Sequence, residues 1–197
     1  LFPVTDGVVA QEPISFVTHN CIEVYAADVV KGIRAVKEFT GAKYAVICLK
    51  EHYHDAVHAL KAATKDADDV QIHLLDGYYP AGDEQQIVYD VTGRVVPTGG
   101  LPLDVGCVVC NVSTLVNIAN AMEGKKVIEK YVTVGGAVKN PVTVRVPVGI
   151  SLKEVLEAAG GTTEDCDYII GGPCMGRVVD TLDIPVTKTT GGLLAIP

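Results

Sequence analysis

The pattern of apolar and polar residues predicts alternating helices and strands in the first part of the chain. Between Val24 and Phe39, apolar residues recur at spacings of one, three and four, the period of an amphipathic helix, and Gly41 is placed to end it. Residues 43–49 form a continuous apolar run, typical of a parallel strand covered on both faces. A second helix is predicted over residues 51–63 and another strand over residues 70–75.

A β-α-β-α-β alternation over the first 80 residues indicates an open parallel sheet of the α/β class. Ligands of such sheets bind beyond the carboxyl ends of the strands. Glycine and proline are dense between Gly77 and Gly106, which predicts turns and a functional loop region, broken by a short helix at residues 84–89. A strand over residues 105–109 and a helix from Asn111 to about Met122 follow.

From Lys126 onward the pattern changes to paired strands. A β-hairpin, a helix and a further strand in this order are the start of a β-grasp arrangement. The predicted strand, turn, strand, helix and strand cover residues 127–134, 135–136, 142–148, 151–159 and 168–170. The glycine-rich remainder, residues 171–197, is predicted to form loops and edge strands. We place a domain boundary near Gly124, which gives domains of residues 1–124 and 125–197.

Composition and charge exclude several classes of protein. The 197 residues are 48% hydrophobic and 20% charged, which is globular and not disordered. The net charge of −8, without a basic stripe, argues against nucleic acid as a partner. No apolar run is long enough to span a bilayer, and residues 1–20 lack the features of a signal peptide. The six cysteines are too sparse for a disulfide scaffold, so we expect reduced thiols and a cytoplasmic protein.

The first candidate site follows the strand at residues 70–75. Gly82 would let a backbone approach a ligand closely, and the adjacent carboxylates Asp83 and Glu84 at a helix start suit hydrogen bonding to a polar heterocycle. The same two carboxylates could instead only complement the helix dipole. The sequence leaves both interpretations open.

The second candidate site lies where a buried strand meets a helix. Asn111 is a good N-cap, and the N–H groups of the first turn, with the hydroxyls of Ser113 and Thr114, would form a phosphate site. Helix capping alone would also explain Asn111.

Two further groups of residues suggest metal binding less strongly. Cys107 and Cys110 are a single CxxC pair in an apolar run with no second pair, so we interpret them as buried and structural. His52, His54 and His58 lie on a helix predicted to be an exposed crossover, so we interpret them as a solvated face. No metal site is predicted, and motifs such as GxGxxG, the P-loop, GxSxG and HExxH are absent.

Several separate motifs, in order, carry a resemblance to a known family. Residues 79–141, beginning YPAGDEQQ and including CNVST, together with GGPCMG at 171–176 and PVTKTTGGLLAIP at 185–197, resemble the C subunit of the Rnf electron-transport complex. The resemblance covers about residues 28–197 and extends to the flavoprotein subunit of respiratory complex I, cobalamin reductase and the electron-transfer protein associated with proline reductase.

The resemblance implies a Rossmann-like domain of the complex I flavoprotein type, followed by a β-grasp SLBB domain from about Val127. Family members bind FMN and pass electrons between a nicotinamide nucleotide such as NADH and iron–sulfur clusters. The family's flavin-contacting residues correspond to Gly82, Asp83 and Glu84, and Tyr79 matches the aromatic position before them. Asn111 and Thr114 correspond to the family's Asn and Thr at the helix start on the phosphate side of FMN. Partner electron-transfer subunits or a partner reductase, and peripheral attachment to a membrane complex at its inner face, are implied as well.

The chain also departs from the family pattern. Residues 1–20 lack the glycine-rich GxGGxGFPT flavin loop, cysteine-rich ferredoxin motifs do not follow residue 187, and Cys110 replaces the first of two asparagines. We therefore expect the 197 residues to be a core fragment that binds FMN weakly or not at all. 4Fe-4S clusters are expected only in a missing C-terminal part. The alternative is a non-redox SLBB-type module that binds a small ligand or a partner protein.

Overall fold

The protein has a mixed α/β architecture, as predicted, with two separate sheets. The computed structural model describes residues 7–11, 16–78, 80–173 and 175–197. Two units are distinguished by their internal contacts. The first contains residues 7–11 and 18–125, and the second contains residues 126–197 together with Phe16 and Val17.

The first unit is built on four parallel strands in the order β3-β2-β1-β4. A short 3₁₀ turn at Pro102–Val105 precedes the last strand. In chain order the strands and helices are β1 (Gly7–Gln11), α1 (Phe16–Thr40), β2 (Tyr44–Lys50), α2 (His54–Ala63), β3 (Val70–Leu75), α3 (Glu84–Thr92), β4 (Cys107–Asn111) and α4 (Val112–Met122).

Helices cover both faces of this sheet. On β2, Ile47 lies in the core that contains buried residues of α1, α2 and α4, whereas Val46 and Cys48 face Ile87 of α3. Alternate side chains of one strand thus enter two different cores. Burial on both faces is why residues 43–49 form a continuous apolar run.

Helix α1 differs from its predicted bounds. It begins at Phe16, before the predicted start at Val24, and the non-helical backbone angles of Tyr25 mark a kink just inside the predicted segment. Val29 and Ile33 are fully buried, as the period predicts, but Phe39 is 89% exposed. The reason is geometric, because at 3.6 residues per turn Phe39 lies about 120° around the helix from Ile33.

The second unit is a five-stranded sheet in the order β6-β5-β9-β7-β8, with a short helix packed on it. Leu152 and Val155 of that helix share a core with Val132 and Val134 of β5 and with Leu193 of β9. Its elements are β5 (Glu129–Gly136), β6 (Val142–Pro147), α5 (Leu152–Ala158), β7 (Asp167–Ile170), β8 (Arg177–Val179) and β9 (Gly192–Ile196).

One prediction for this unit was wrong, and another was right only in part. The hairpin does not turn at Gly135-Gly136, because β5 continues through both glycines and the connection to β6 is residues 137–141. The tail was expected to form loops and edge strands. Strand β8 is an edge strand, as expected, but β9 is a central strand, parallel to β5 and antiparallel to β7. Short apolar stretches carry no information on which strands they pair with, so the sequence could not place β9.

Helix α5 begins with a capping box that gives a first testable prediction. The Ser151 hydroxyl accepts the Glu154 backbone N–H at 3.3 Å, and the Glu154 carboxylate accepts the Ser151 N–H at 3.2 Å. Ser151→Ala should lower the free energy of unfolding by about 1 kcal/mol, measured by urea denaturation. Ser151→Thr keeps the hydroxyl and is the control, so an equal loss in both variants would contradict a capping role.

Candidate functional site

The strand order creates a topological switch point in the first unit. After β1 the chain moves through α1 to β2 on one side, while β4 lies on the other side of β1. Ligands of open α/β sheets bind outside the carboxyl ends of the strands where the order reverses. Gln11 and Asn111 end β1 and β4 and are paired directly across the sheet. The structure thus places Asn111 where the fold favours a ligand.

Asn111 caps α4 with its side chain. Its Oδ1 accepts the Ser113 backbone N–H at 2.9 Å and the Ser113 hydroxyl at 2.7 Å. A backbone N–H can only donate, so this bond fixes which end of the amide faces the helix. The other end, the Nδ2 amino group, donates to no acceptor within the described residues. The cap therefore uses only the oxygen and leaves two N–H donors beside a helix N-terminus.

The remaining groups of this helix start are more open. Thr114 is exposed, and Ser113 and Asn111 are half-buried. The first N–H groups of a helix have no acceptor inside it and carry the positive end of its dipole. Asn111 and Thr114 are thus brought together within one turn, in a setting that attracts an anion.

Asp83 caps the N-terminus of α3 with its side chain. Its Oδ1 accepts the backbone N–H groups of Gln85 at 2.9 Å and Gln86 at 3.3 Å. Asp83 is exposed, Glu84 is half-buried and Gly82 is buried. This geometry agrees with the helix-start interpretation of Asp83, and contact of these three residues with a ligand stays a prediction. Tyr79 lies outside the described residues.

Helix α3 relates the two candidate groups to one another. β3 and β4 are the two edges of the described sheet, separated by β2 and β1. Helix α3 starts after β3 and crosses the sheet. Its Ile87 packs with Val46 and Cys48 of β2, and its Val88 packs with Cys107 of β4. The Gly82–Glu84 group follows β3 and Asn111 ends β4, so a ligand that reached both would have to extend across the ends of β2 and β1.

Sequence reasoning missed a hydrogen-bonded group next to Gly82. Asp90, on α3, accepts the Tyr78 hydroxyl at 3.2 Å and the Gln86 side-chain amide at 2.8 Å. The spacing of four between Gln86 and Asp90 on a predicted helix is the signal that could have found part of this group.

Gly32 of α1 is a second residue that the sequence analysis missed. A Cβ atom on Gly32 would lie 2.1 Å from the backbone oxygen of Leu115 in α4. Only glycine lets the two helix backbones approach this closely. A glycine inside a helix, where it is unfavourable, was the available signal. This contact helps fix the position of the helix whose start carries Asn111.

The cysteine pair has no geometry for a shared metal. Cys107 packs against Val88 of α3, whereas Cys110 packs with the core of α1, α2 and α4 on the opposite face of β4. Residues three apart on a strand point to opposite faces. Burial raises the pKa of the Cys110 thiol, and burial, followed by the charge of Asp90, raises the pKa of Cys48 to about 12. The thiols of Cys110 and Cys48 are therefore protonated at neutral pH, which makes them poor metal ligands.

The histidine group is likewise solvated, since His52, His54 and His58 are all exposed. In the part of the chain that the structure describes, no group of three or more His, Cys, Asp or Glu side chains could hold a metal ion. None of the helices within these residues combines the length and apolarity that crossing a bilayer requires.

Comparison with known proteins identifies two domain families in this chain. Residues 8–120 match the Nuo51 FMN-binding domain family, and residues 131–178 match the SLBB domain. The chain is 46% identical to cobalamin reductase PduS of Salmonella typhimurium over 94% of this chain and 41% of the relative. It is 35% identical to the C subunit of the Na(+)-translocating ferredoxin:NAD(+) oxidoreductase complex of Acetobacterium woodii, over 94% of this chain and 42% of the relative.

A solved structure shows the same fold. The NAD+-reducing [NiFe]-hydrogenase in its air-oxidized state matches with a TM-score of 0.81 at 23% identity, over 96% of this chain and 40% of the matched chain. This chain thus spans about two fifths of the length of these relatives. With its parallel sheet, its capped α4 and its second β-rich unit, the chain belongs to the Nuo51 FMN-binding domain family.

Proposed function

We propose that this chain is the flavin-binding and SLBB core of an Rnf-C-like electron-transfer protein. In this proposal the protein passes electrons between a nicotinamide nucleotide or another reductant, FMN, and iron–sulfur clusters held outside residues 1–197. The names of the relatives support this class of reaction, because they join ferredoxin with NAD(+) or describe the reduction of cobalamin. Partner electron-transfer subunits, and attachment to a membrane complex through them, belong to the same proposal.

The observation that carries the proposal is the helix start at Asn111. It lies at the switch point of a sheet that matches an FMN-binding family, and the Asn111 amino group has no acceptor within the described residues. A phosphate there would gain the amide N–H groups and the positive end of α4. The residues present therefore fit the phosphate end of FMN.

We assign the residues two separate roles. Asn111 and Thr114 hold the phosphate and provide affinity. Gly82, Asp83 and Glu84, with Tyr79, lie on the ring side and shape the electrostatic surroundings of the ring. When bound, FMN supplies the exchange between hydride transfer and single-electron transfer, and the protein orients it and sets its potential.

Purification of the natural full-length protein tests the proposal most directly. Flavin absorbance in the visible region, with release of FMN on denaturation, is the expected result. A full-length protein without flavin, which instead captures a small ligand or a partner through its SLBB domain, would support the non-redox alternative.

Residues 1–197 alone should bind FMN more weakly than the full-length protein. The physical reason is that the glycine-rich flavin loop of the family is not found in residues 1–20, so ring contacts are lost while the phosphate side remains. Quenching of FMN fluorescence on titration measures both affinities. Sub-micromolar binding by residues 1–197 would contradict this expectation.

Glu84→Gln should raise the two-electron reduction potential of bound FMN. A carboxylate near the ring opposes the negative charge of the reduced flavin, so its removal makes reduction easier. A loss of roughly 1.4 kcal/mol of repulsion corresponds to about 30 mV. Glu157→Gln, an exposed carboxylate on α5, is the control. Spectroelectrochemical titration measures the shift. Equal potentials in both variants would contradict the assignment of Glu84 to the ring side.

A further inference from the structure

A carboxylate on α3 links the segment after β3 to the helix that follows it. The two oxygens of Asp90 have different partners, since Oδ2 accepts the Tyr78 hydroxyl and Oδ1 accepts the Gln86 amide. Tyr78 lies before Gly82, and Gln86 lies in the first turn of α3. One side chain thus connects both ends of the stretch that leads into α3.

Within this stretch, residues 80–83 are held by backbone hydrogen bonds. The Ala81 N–H donates to the Tyr78 carbonyl at 3.2 Å, and the Asp83 N–H donates to the Pro80 carbonyl at 2.7 Å. Ala81 is fully buried and packs in the core of α3 and β2. The Asp83 cap then fixes where α3 begins. The backbone around Gly82 is therefore held between the Tyr78 hydroxyl on one side and the helix cap on the other.

The chemistry of the Tyr78 hydroxyl suits this role. Desolvation, followed by the negative charge of Asp90, raises the pKa of Tyr78, so the phenol stays a proton donor at neutral pH. At 3.2 Å the bond is long for an O–H group, and Tyr78 is 42% exposed, so its strength is modest. The Gln86 amide at 2.8 Å is the firmer partner.

We infer that Asp90 is a positioning residue for the ring side of the cofactor site. By holding Tyr78 and Gln86 it keeps Gly82, Asp83 and Glu84 in one arrangement, without contacting the cofactor. This inference rests on the proposed function, because it concerns the same FMN site.

The test compares two tyrosine hydroxyls in the natural full-length protein. Tyr78→Phe removes the hydroxyl that Asp90 accepts. Tyr89→Phe is the matched control, because Tyr89 lies on α3, is 53% exposed, and its hydroxyl has no hydrogen bond within the described residues. Asp90→Ala and the double variant with Tyr78→Phe complete the set. The measurements are the affinity for FMN, the reduction potential of bound FMN, and hydrogen exchange of the amides of residues 81–83 in the flavin-free protein.

Tyr78→Phe should weaken FMN binding about threefold, shift the potential and speed exchange at residues 81–83, whereas Tyr89→Phe should change none of these. The effects of Tyr78→Phe and Asp90→Ala should not add, because both break the same contact. A flavoprotein in which Tyr78→Phe behaves like Tyr89→Phe would overturn this inference alone. A full-length protein that holds no flavin would overturn the proposed function and this inference together.

Discussion

Gly32→Ala is expected to destabilise the first unit by about 2–3 kcal/mol, which is the opposite of what helix propensity predicts. Alanine is favoured over glycine inside a helix by about 1 kcal/mol. The new methyl group, however, would lie 2.1 Å from the Leu115 backbone oxygen. A backbone atom cannot move aside as a flexible side chain can, so α1 and α4 must separate.

The control for this prediction is Gly77→Ala in the same unit. The nearest atoms to a Cβ there are in the His52 ring, at 3.6 Å, an ordinary contact distance. Its unfolding free energy should stay within about 0.5 kcal/mol of the wild type. Urea denaturation followed by circular dichroism measures both variants. Stabilisation by Gly32→Ala would show that the helices pack less closely than described.

Asn111→Ala should weaken FMN binding about ten- to a hundredfold, because a charge-assisted hydrogen bond of roughly 1.5–3 kcal/mol is lost. The same change removes the cap of α4, which should cost about 1 kcal/mol of stability. Asn111→Asp separates the two effects, since it keeps the capping oxygen and replaces the amino group with a negative charge. It should retain stability and lose at least as much affinity.

Two comparisons make this prediction specific to the phosphate. Asn117 lies on the same helix, away from its first turn, so the Asn117→Ala variant should bind FMN as the wild type does. Riboflavin has no phosphate, so its affinity should change far less than that of FMN in both Asn111 variants. Fluorescence titration provides these values, and the reduction potential should hardly move. Normal FMN binding by Asn111→Asp would show that Asn111 only caps the helix.

Local patterns predicted what depends on local physics. The fully buried strand β2 and the helices α2 and α4 follow from apolar runs and spacing, and Asn111 as a cap follows from its residue type and position. The first strand was expected from the alternation but not located, and the structure places it at Gly7–Gln11. Helix α4 was predicted from Asn111 onward, one residue from its observed start.

The features that the sequence did not reveal depend on distant contacts. The central position of β9 depends on pairing with β5, far away in the chain. The close contact at Gly32 depends on the path of α4. The hydrogen bond from Tyr78 to Asp90 depends on how the chain folds between these two residues. Periodicity reports which side of an element is buried, and these features require knowing which element covers it.

The central place of β9 in the second sheet has a consequence for synthesis on the ribosome. The first sheet can form once residues up to Met122 have emerged, because its strands and α4 are then present. The second sheet cannot, since β5 and β7 are joined only through β9, which ends at Ile196. Until that strand leaves the exit tunnel, the apolar side chains of the hairpin and α5 that share a core with Leu193 and Ala195 of β9 remain partly uncovered. Chaperone contact during translation should therefore concentrate on this second half.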